Sequence, residues 1–158
     1  MRSPSRNCVL SVLPANRKLS RRFVKVPVCL CLHAQRAARV LARRFDGALR
    51  PFGLTNGQFS LLMSLNGPEP PPMGPVASLL AMDRTTLTAA LKPLERRGLV
   101  KVARDPSDRR SRILVLTGEG RTLLARAVPV WKKTHEEMER EAPGIDWELL
   151  RKALSEIS

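Results

Sequence analysis

Leucines at 87, 91 and 94 recur at the i, i+4 and i+7 spacing of one helical face. Asp83, just ahead of them, is a strong N-cap: its carboxylate accepts free N–H groups of the first turn and complements the positive end of the helix dipole. At about 100° per residue the opposite face carries Thr85, Thr88, Ala89, Lys92 and Arg96, with Arg84 and Thr86 in the first turn. Pro93 removes an N–H and crowds the carbonyl four residues back, which predicts a kink or an early end to the regular helix. Gly98 supplies a stop. Two β-favouring runs follow, Leu99 to Arg104 and Ile113 to Leu116, and the intervening DPSDRRSR has the Pro, Asp and Ser of a turn.

Upstream, Leu30, Ala34, Ala38, Leu41, Phe45 and Leu49 form an apolar stripe opposite Arg36, Arg39, Arg43 and Arg50, so a long amphipathic helix is expected. Pro51, Phe52 and Gly53 end it. Thr55 with Gln58 makes a capping box and Leu54 with Phe59 a hydrophobic staple for the next helix, which should carry Phe59, Leu62 and Met63 inward and stop at Asn66, Gly67 and Pro68. The proline-rich GPEPPPMGP reads as a stiff connector rather than a docking segment, leading to a short helix from Val76 to Met82. After the hairpin, Thr117 starts a long helix with Leu123, Leu124, Ala127, Trp131 and Met138 on one side and a kink at Pro129. A last helix from about Ile145 exposes Leu149, Leu150, Ala153, Leu154 and Ile157, a face that needs a cover. The fold class is mainly α with a small β-hairpin.

Charge gives this pattern a direction. The chain of 158 residues has 28 basic and 14 acidic residues, a formal charge of +14, which suits a nucleic-acid partner. Residues 84 to 112 hold nine basic against three acidic residues, whereas residues 136 to 158 hold three basic against seven acidic. A basic middle and an acidic end predict one DNA-facing side and another side used for something else. Threonine methyl and hydroxyl groups read base edges, and Lys and Arg meet guanines or phosphates, as a helix in a major groove requires. In the hairpin, Lys101, Arg104, Ser107, Arg109, Arg110 and Arg112 are phosphate donors, and a guanidinium at the tip can enter a minor groove. A helix followed at once by such a hairpin is a winged helix-turn-helix.

The run Thr86–Leu87–Thr88, then Leu94 to Val100 (LERRGLV), then Asp108–Arg109–Arg110, then Leu116–Thr117 with Gly120, resembles the signature of MarR-type transcriptional regulators. Weaker similarity extends from about Cys29 to the C-terminus. The resemblance implies that Asp83 to Arg97 is the recognition helix, that Arg110 is the wing arginine entering the minor groove, and that Asp108 orients it by a local salt bridge. It implies DNA contacts from Arg84, Thr85, Thr86, Thr88, Lys92, Arg96, Arg104, Asp108, Arg109, Arg110 and Arg112. Ala89 departs from the family, which more often has a polar or basic residue there. The implied organisation is a DNA-binding lobe over 54–120, with 28–50 and 121–158 as dimerisation helices of a 28–158 domain. Two chains then form an obligate homodimer, with readers about one DNA turn apart on a pseudo-palindrome. The expected protein is a cytoplasmic, nucleoid-associated repressor released by a small ligand or by thiol oxidation, with double-stranded DNA as partner and no membrane. Repression rests on the family's usual behaviour alone.

Two switches come with the resemblance. Cys31 falls where peroxide-sensing members carry a reactive cysteine, near a helix start that favours a thiolate. Those sensors use tyrosines, and this chain has none; Gln35 and Phe45 stand in their place. An inert core cysteine and a redox switch therefore both stand. Trp131 and His135, one turn apart, are candidates to line a site for a lipophilic anion such as a phenolic carboxylate, although a Trp at helical spacing is more often simply core.

Other chemistry finds little support. Cys8, Cys29 and Cys31 are an odd set at close spacing, which argues for reduced thiols. Cys-x-Cys supplies only two ligands and His33 and His135 have no matching motif, so neither a metal nor another cofactor is expected. No catalytic motif or acid–base–nucleophile set can be assembled, so an enzyme is not expected. The longest apolar run, Val26 to Leu32, is far short of the roughly 20 residues a membrane span needs. Residues 1–27 hold seven basic residues and no acid, and predict a disordered basic extension. A DNA-grazing arm and a start codon placed too far upstream explain it equally well, while an organellar targeting peptide sits poorly with an essentially prokaryotic family. The alternative function is a non-sequence-specific nucleic-acid binder, architectural or RNA-associated. The short, base-reading side chains of the threonine-rich face argue against it.

Overall fold

The first apolar stripe becomes α1, Leu30–Leu49, and a single 3-10 turn, Arg50–Phe52, closes it at Gly53, whose φ of 64° suits a residue without a Cβ. The computed structural model describes residues 29–108 and 110–157. The expected disorder of 1–27, Cys8 and Arg109 lie outside the described residues. Only the C-terminal half of the α1 stripe is covered in a single chain: Phe45 and Leu49 are buried, while Leu30, Ala34 and Ala38 are exposed.

α2, Asn56–Ser64, begins with the full capping box, the Thr55 hydroxyl accepting the Gln58 N–H while the Gln58 side chain accepts the Thr55 N–H. Asp46, reaching from α1, takes the next free donor, the Asn56 N–H, at 2.6 Å. Leu54 and Phe59, the expected staple, are both buried. The inward set differs from the sequence expectation. Met63 is 37% exposed and Leu61 is buried beside Leu62 and Phe59. The cause is that α2 packs against both α1 and the later helix α5, Gly118–Glu141, so more than one of its faces is covered.

The connector also ends earlier than expected. α3 spans Met73–Leu79 rather than Val76 to Met82, because Pro75 falls in the first turn, where a missing N–H costs no helical bond. Pro71 and Pro72 are held by the hairpin: the Pro71 carbonyl accepts the Leu114 N–H at 2.9 Å, and Pro72 bridges Ile113. Proline suits this edge because only its carbonyl is asked to bond.

The turn into α4, Arg84–Arg96, contains Ala81 at φ 51°, in the left-handed region that side chains disfavour. Relief of that strain should outweigh the flexibility that glycine adds to the unfolded chain. Ala81→Gly is therefore expected to stabilise the protein by about 0.5–1 kcal/mol, read as a higher urea midpoint at unchanged slope. An unchanged or lower midpoint would count against strain at this turn.

α4 begins at the Asp83 cap and buries Leu87, Leu91 and Leu94. It does not end early at Pro93, but continues to Arg96 before Gly98 (φ 69°) turns the chain. β1, Val100–Arg104, and β2, Arg112–Leu116, pair antiparallel with Val100 opposite Leu116 and Arg104 opposite Arg112. Thr117 caps α5, which runs unbroken past Pro129 and packs along α1. α6, Trp147–Glu156, starts at the Asp146 cap and buries none of its residues. The core lies between α1, α2, α4, the hairpin and the first half of α5, centred on Leu49, Phe59, Leu62, Leu87, Leu91, Leu94, Leu114 and Ala127. No helix among the described residues is long and apolar enough to cross a membrane.

Candidate nucleic-acid interface

With its leucines buried, α4 turns Arg84, Thr85, Thr88, Ala89 and Lys92 outward, and these line a shallow groove of about 320 Å³. The hydroxyls on this face are not equivalent. The Asp83 carboxylate accepts the Thr86 backbone N–H at 2.7 Å and the Thr86 hydroxyl at 3.0 Å. These bonds hold the Asp83 carboxyl below the ordinary carboxylate range. Thr86 therefore serves the cap. The Thr88 hydroxyl donates to the Arg84 carbonyl at 2.7 Å.

The adjacent arginines at the end of α4 also divide. Arg96 is exposed and makes no ion pair among the described residues. Arg97 turns back, its guanidinium donating to the Gly53 carbonyl at 2.5 Å and the Phe52 carbonyl at 3.1 Å. A cation is favoured there, where the last carbonyls of the α1 segment point. Arg97 thus ties the end of α4 to the corner between α1 and α2, a role the sequence reading did not assign. Its separation of 44 residues from Gly53 left no local signal.

The hairpin places Arg104 and Arg112 opposite each other at its mouth. At its tip the Asp105 carboxylate accepts the Ser107 hydroxyl at 2.6 Å and backbone N–H at 2.8 Å, which lowers its pKa. The expected Asp108–Arg110 salt bridge is not formed. Asp108 instead accepts the Arg110 backbone N–H at 2.9 Å, and its carbonyl accepts the Ser111 N–H at 2.8 Å. A two-residue turn of this kind satisfies the short Asp side chain locally, so the Arg110 guanidinium projects into solvent.

Ion pairing is distributed unevenly. Among the described residues, Arg84, Lys92, Arg96, Arg104, Arg110 and Arg112 have no acidic partner, whereas Arg44–Glu141, Lys133–Glu137 and Arg151–Glu139 pair on α1, α5 and α6. The Arg44 pair is doubly bonded and pulls the Glu141 carboxyl below its usual range. α4 and the hairpin thus present six cations without an ion pair among the described residues, as α1 does with Arg36, Arg39 and Arg43 and α5 with Arg121, Arg126 and Lys132.

The switch candidates lie elsewhere. Cys31, at the second position of α1, is exposed, as is Cys29 at its cap, so within one chain Cys31 is not a core cysteine. It lies in the N-terminal half of α1, which is exposed through residue 40. Trp131 and His135 are half-buried: their ring centroids are 4.2 Å apart, with Phe45 4.4 Å from His135 and Phe59 5.6 Å from Trp131. The His135 Nδ1 lies 3.1 Å from the Trp131 carbonyl. These rings tie α1, α2 and α5 together and pack against the core. No group of His, Cys, Asp and Glu among the described residues could hold a metal ion.

Comparison with known proteins gives a consistent result. The sequence profile of the MarR family matches residues 54–111. The chain is 35% identical over 98 residues to the transcriptional regulator HosA of Escherichia coli O111:H-, covering 61% of this chain and 71% of HosA. Among solved structures it is similar to the transcriptional regulator MosR of M. tuberculosis in complex with DNA, with 36% identity and a TM-score of 0.71 over 82% of this chain and 93% of MosR. It is also similar to the transcriptional repressor CouR bound to a 23-mer DNA duplex, with 34% identity and a TM-score of 0.67 over 82% of this chain and 89% of that one.

Proposed function

The chain belongs to the MarR family of transcriptional regulators, and from that premise we propose that it is a homodimeric repressor that reads a pseudo-palindromic operator. α4 enters the major groove and the hairpin arginines reach the flanking backbone and minor groove. The observation that carries this reading is the outward face of α4, where Arg84, Thr85, Thr88, Ala89 and Lys92 line one groove, beside hairpin arginines that form no ion pair among the described residues. DNA-bound MosR and CouR support it by analogy. Dimerisation uses the apolar faces left uncovered on α1 and α6, including Leu30, Leu149, Leu154 and Ile157. Light scattering at micromolar concentration should return a dimer, and a monomer overturns this arrangement.

Binding is tested by fluorescence anisotropy on the gene's own upstream DNA and on a scrambled duplex, at about 150 mM salt because phosphate contacts make affinity salt-dependent. Preference of roughly a thousandfold establishes sequence-specific recognition. Equal, steeply salt-dependent binding to both duplexes, repeated with duplexes enriched from a random pool, overturns it in favour of a general nucleic-acid binder.

Release is proposed to follow oxidation of Cys31, whose exposed thiol lies two residues from the equally exposed Cys29. A peroxide oxidises the Cys31 sulfur to a sulfenic acid, itself being reduced to an alcohol or water, and the Cys29 thiol then displaces water to form a disulfide. Organic hydroperoxide should dissociate wild-type protein from DNA and leave Cys31→Ser bound. Equal response of the two proteins removes Cys31 from the mechanism and leaves ligand release, with Trp131 and His135 as the residues to examine.

A further inference from the structure

Beside Thr85, the outer face of α4 presents two methyl groups, those of Thr88 and Ala89. The Thr88 hydroxyl hydrogen is already committed to the Arg84 carbonyl, so Thr88 cannot donate to a base acceptor while that bond holds, and its methyl remains for contact. Ala89, next in sequence, adds a second exposed methyl and lines the same groove. Arg84 and Lys92, which also line the groove, supply the charge for phosphates or guanines. Among the four bases only thymine presents an apolar group, its C5-methyl, in the major groove.

We propose that Thr88 and Ala89 are specificity-determining residues that select thymine at the centre of each operator half-site by methyl–methyl contact. This rests on α4 being the DNA reader, and it accounts for Ala89 at a position where a polar residue would offer hydrogen bonds. Each contact removes one methyl group from water, which corresponds to about a fourfold change in affinity.

The test uses the full chain and a duplex enriched from a random pool. Each thymine is replaced singly by deoxyuridine, which deletes only the C5-methyl, and affinities are measured by anisotropy. Wild-type protein should bind about fourfold more weakly at one or two thymines per half-site. Thr88→Ser retains the bond to the Arg84 carbonyl but lacks the methyl, and Ala89→Gly removes the other methyl. Each should bring the thymine-to-uracil ratio at its own position to about one. Because the ratio compares two duplexes with one protein preparation, any loss of folded protein cancels. An enriched duplex with a flat uracil profile, or a ratio that survives in both variants, overturns this inference alone. Failure to enrich any sequence overturns it together with the proposed function.

Discussion

Gly120→Ala should unfold the junction between the wing and α5, at a cost of about 3 kcal/mol or more. A Cβ at this position would stand 2.2 Å from the Leu99 carbonyl oxygen and 2.7 Å from the Leu116 Cδ1. The leucine methyl could move, but the carbonyl cannot. It already accepts the Thr117 N–H at 3.1 Å and the Thr117 hydroxyl at 3.1 Å, while that hydroxyl also donates to the Gly98 carbonyl at 2.7 Å. Moving Leu99 would therefore disturb the start of β1 and the cap of α5 together. The expected thermal midpoint falls by roughly 10 °C. Gly118→Ala is the control: nothing lies within 4 Å of its Cβ, and alanine there should change stability by no more than about 0.5 kcal/mol. Helix propensity alone would make both changes neutral or favourable. A Gly120→Ala midpoint equal to wild type would therefore show that the close approach is not real.

Arg110→Ala should weaken specific DNA binding by about 1–3 kcal/mol, roughly 5- to 150-fold, and reduce the salt slope by about one ion. Stability should change little, by about 0.5 kcal/mol at most, because the side chain is exposed and unpaired. The tip should keep its shape, since Asp108 binds the Arg110 backbone N–H, which alanine retains. Arg97→Ala provides the contrast: it strips the Gly53 and Phe52 carbonyls of their donor and should lower the unfolding midpoint. Wild-type affinity and salt slope in Arg110→Ala would remove the wing tip from the interface.

Sequence reading succeeded where the determining contacts span a few residues. The Asp83 cap, the Leu87–Leu91–Leu94 face and the Gly98 stop bound α4. The Thr55–Gln58 box starts α2 and the Thr117 cap starts α5. Where local preference met a packed environment it was overruled. Met63 had the spacing of an inward residue, but α2 is covered on more than one side and Leu61 took the interior. Pro93 had every local reason to end α4, yet the helix continues to Arg96, held by the burial of Leu91 and Leu94. The expected Asp108–Arg110 ion pair gave way to a backbone bond two residues away, which a short side chain reaches more readily.

By itself the sequence determined the order of the elements, the caps of α2, α4 and α5 and the outward basic face of α4, because i to i+4 periodicity and capping act within one or two turns of chain. Only the tertiary structure decided which of two adjacent arginines stays free in solvent and which clamps a distant carbonyl. It also decided why residue 120 must lack a Cβ, and that two prolines of the connector pin the wing. Each depends on what stands opposite a residue tens of positions away, and periodicity says which way a side chain points without saying what it meets.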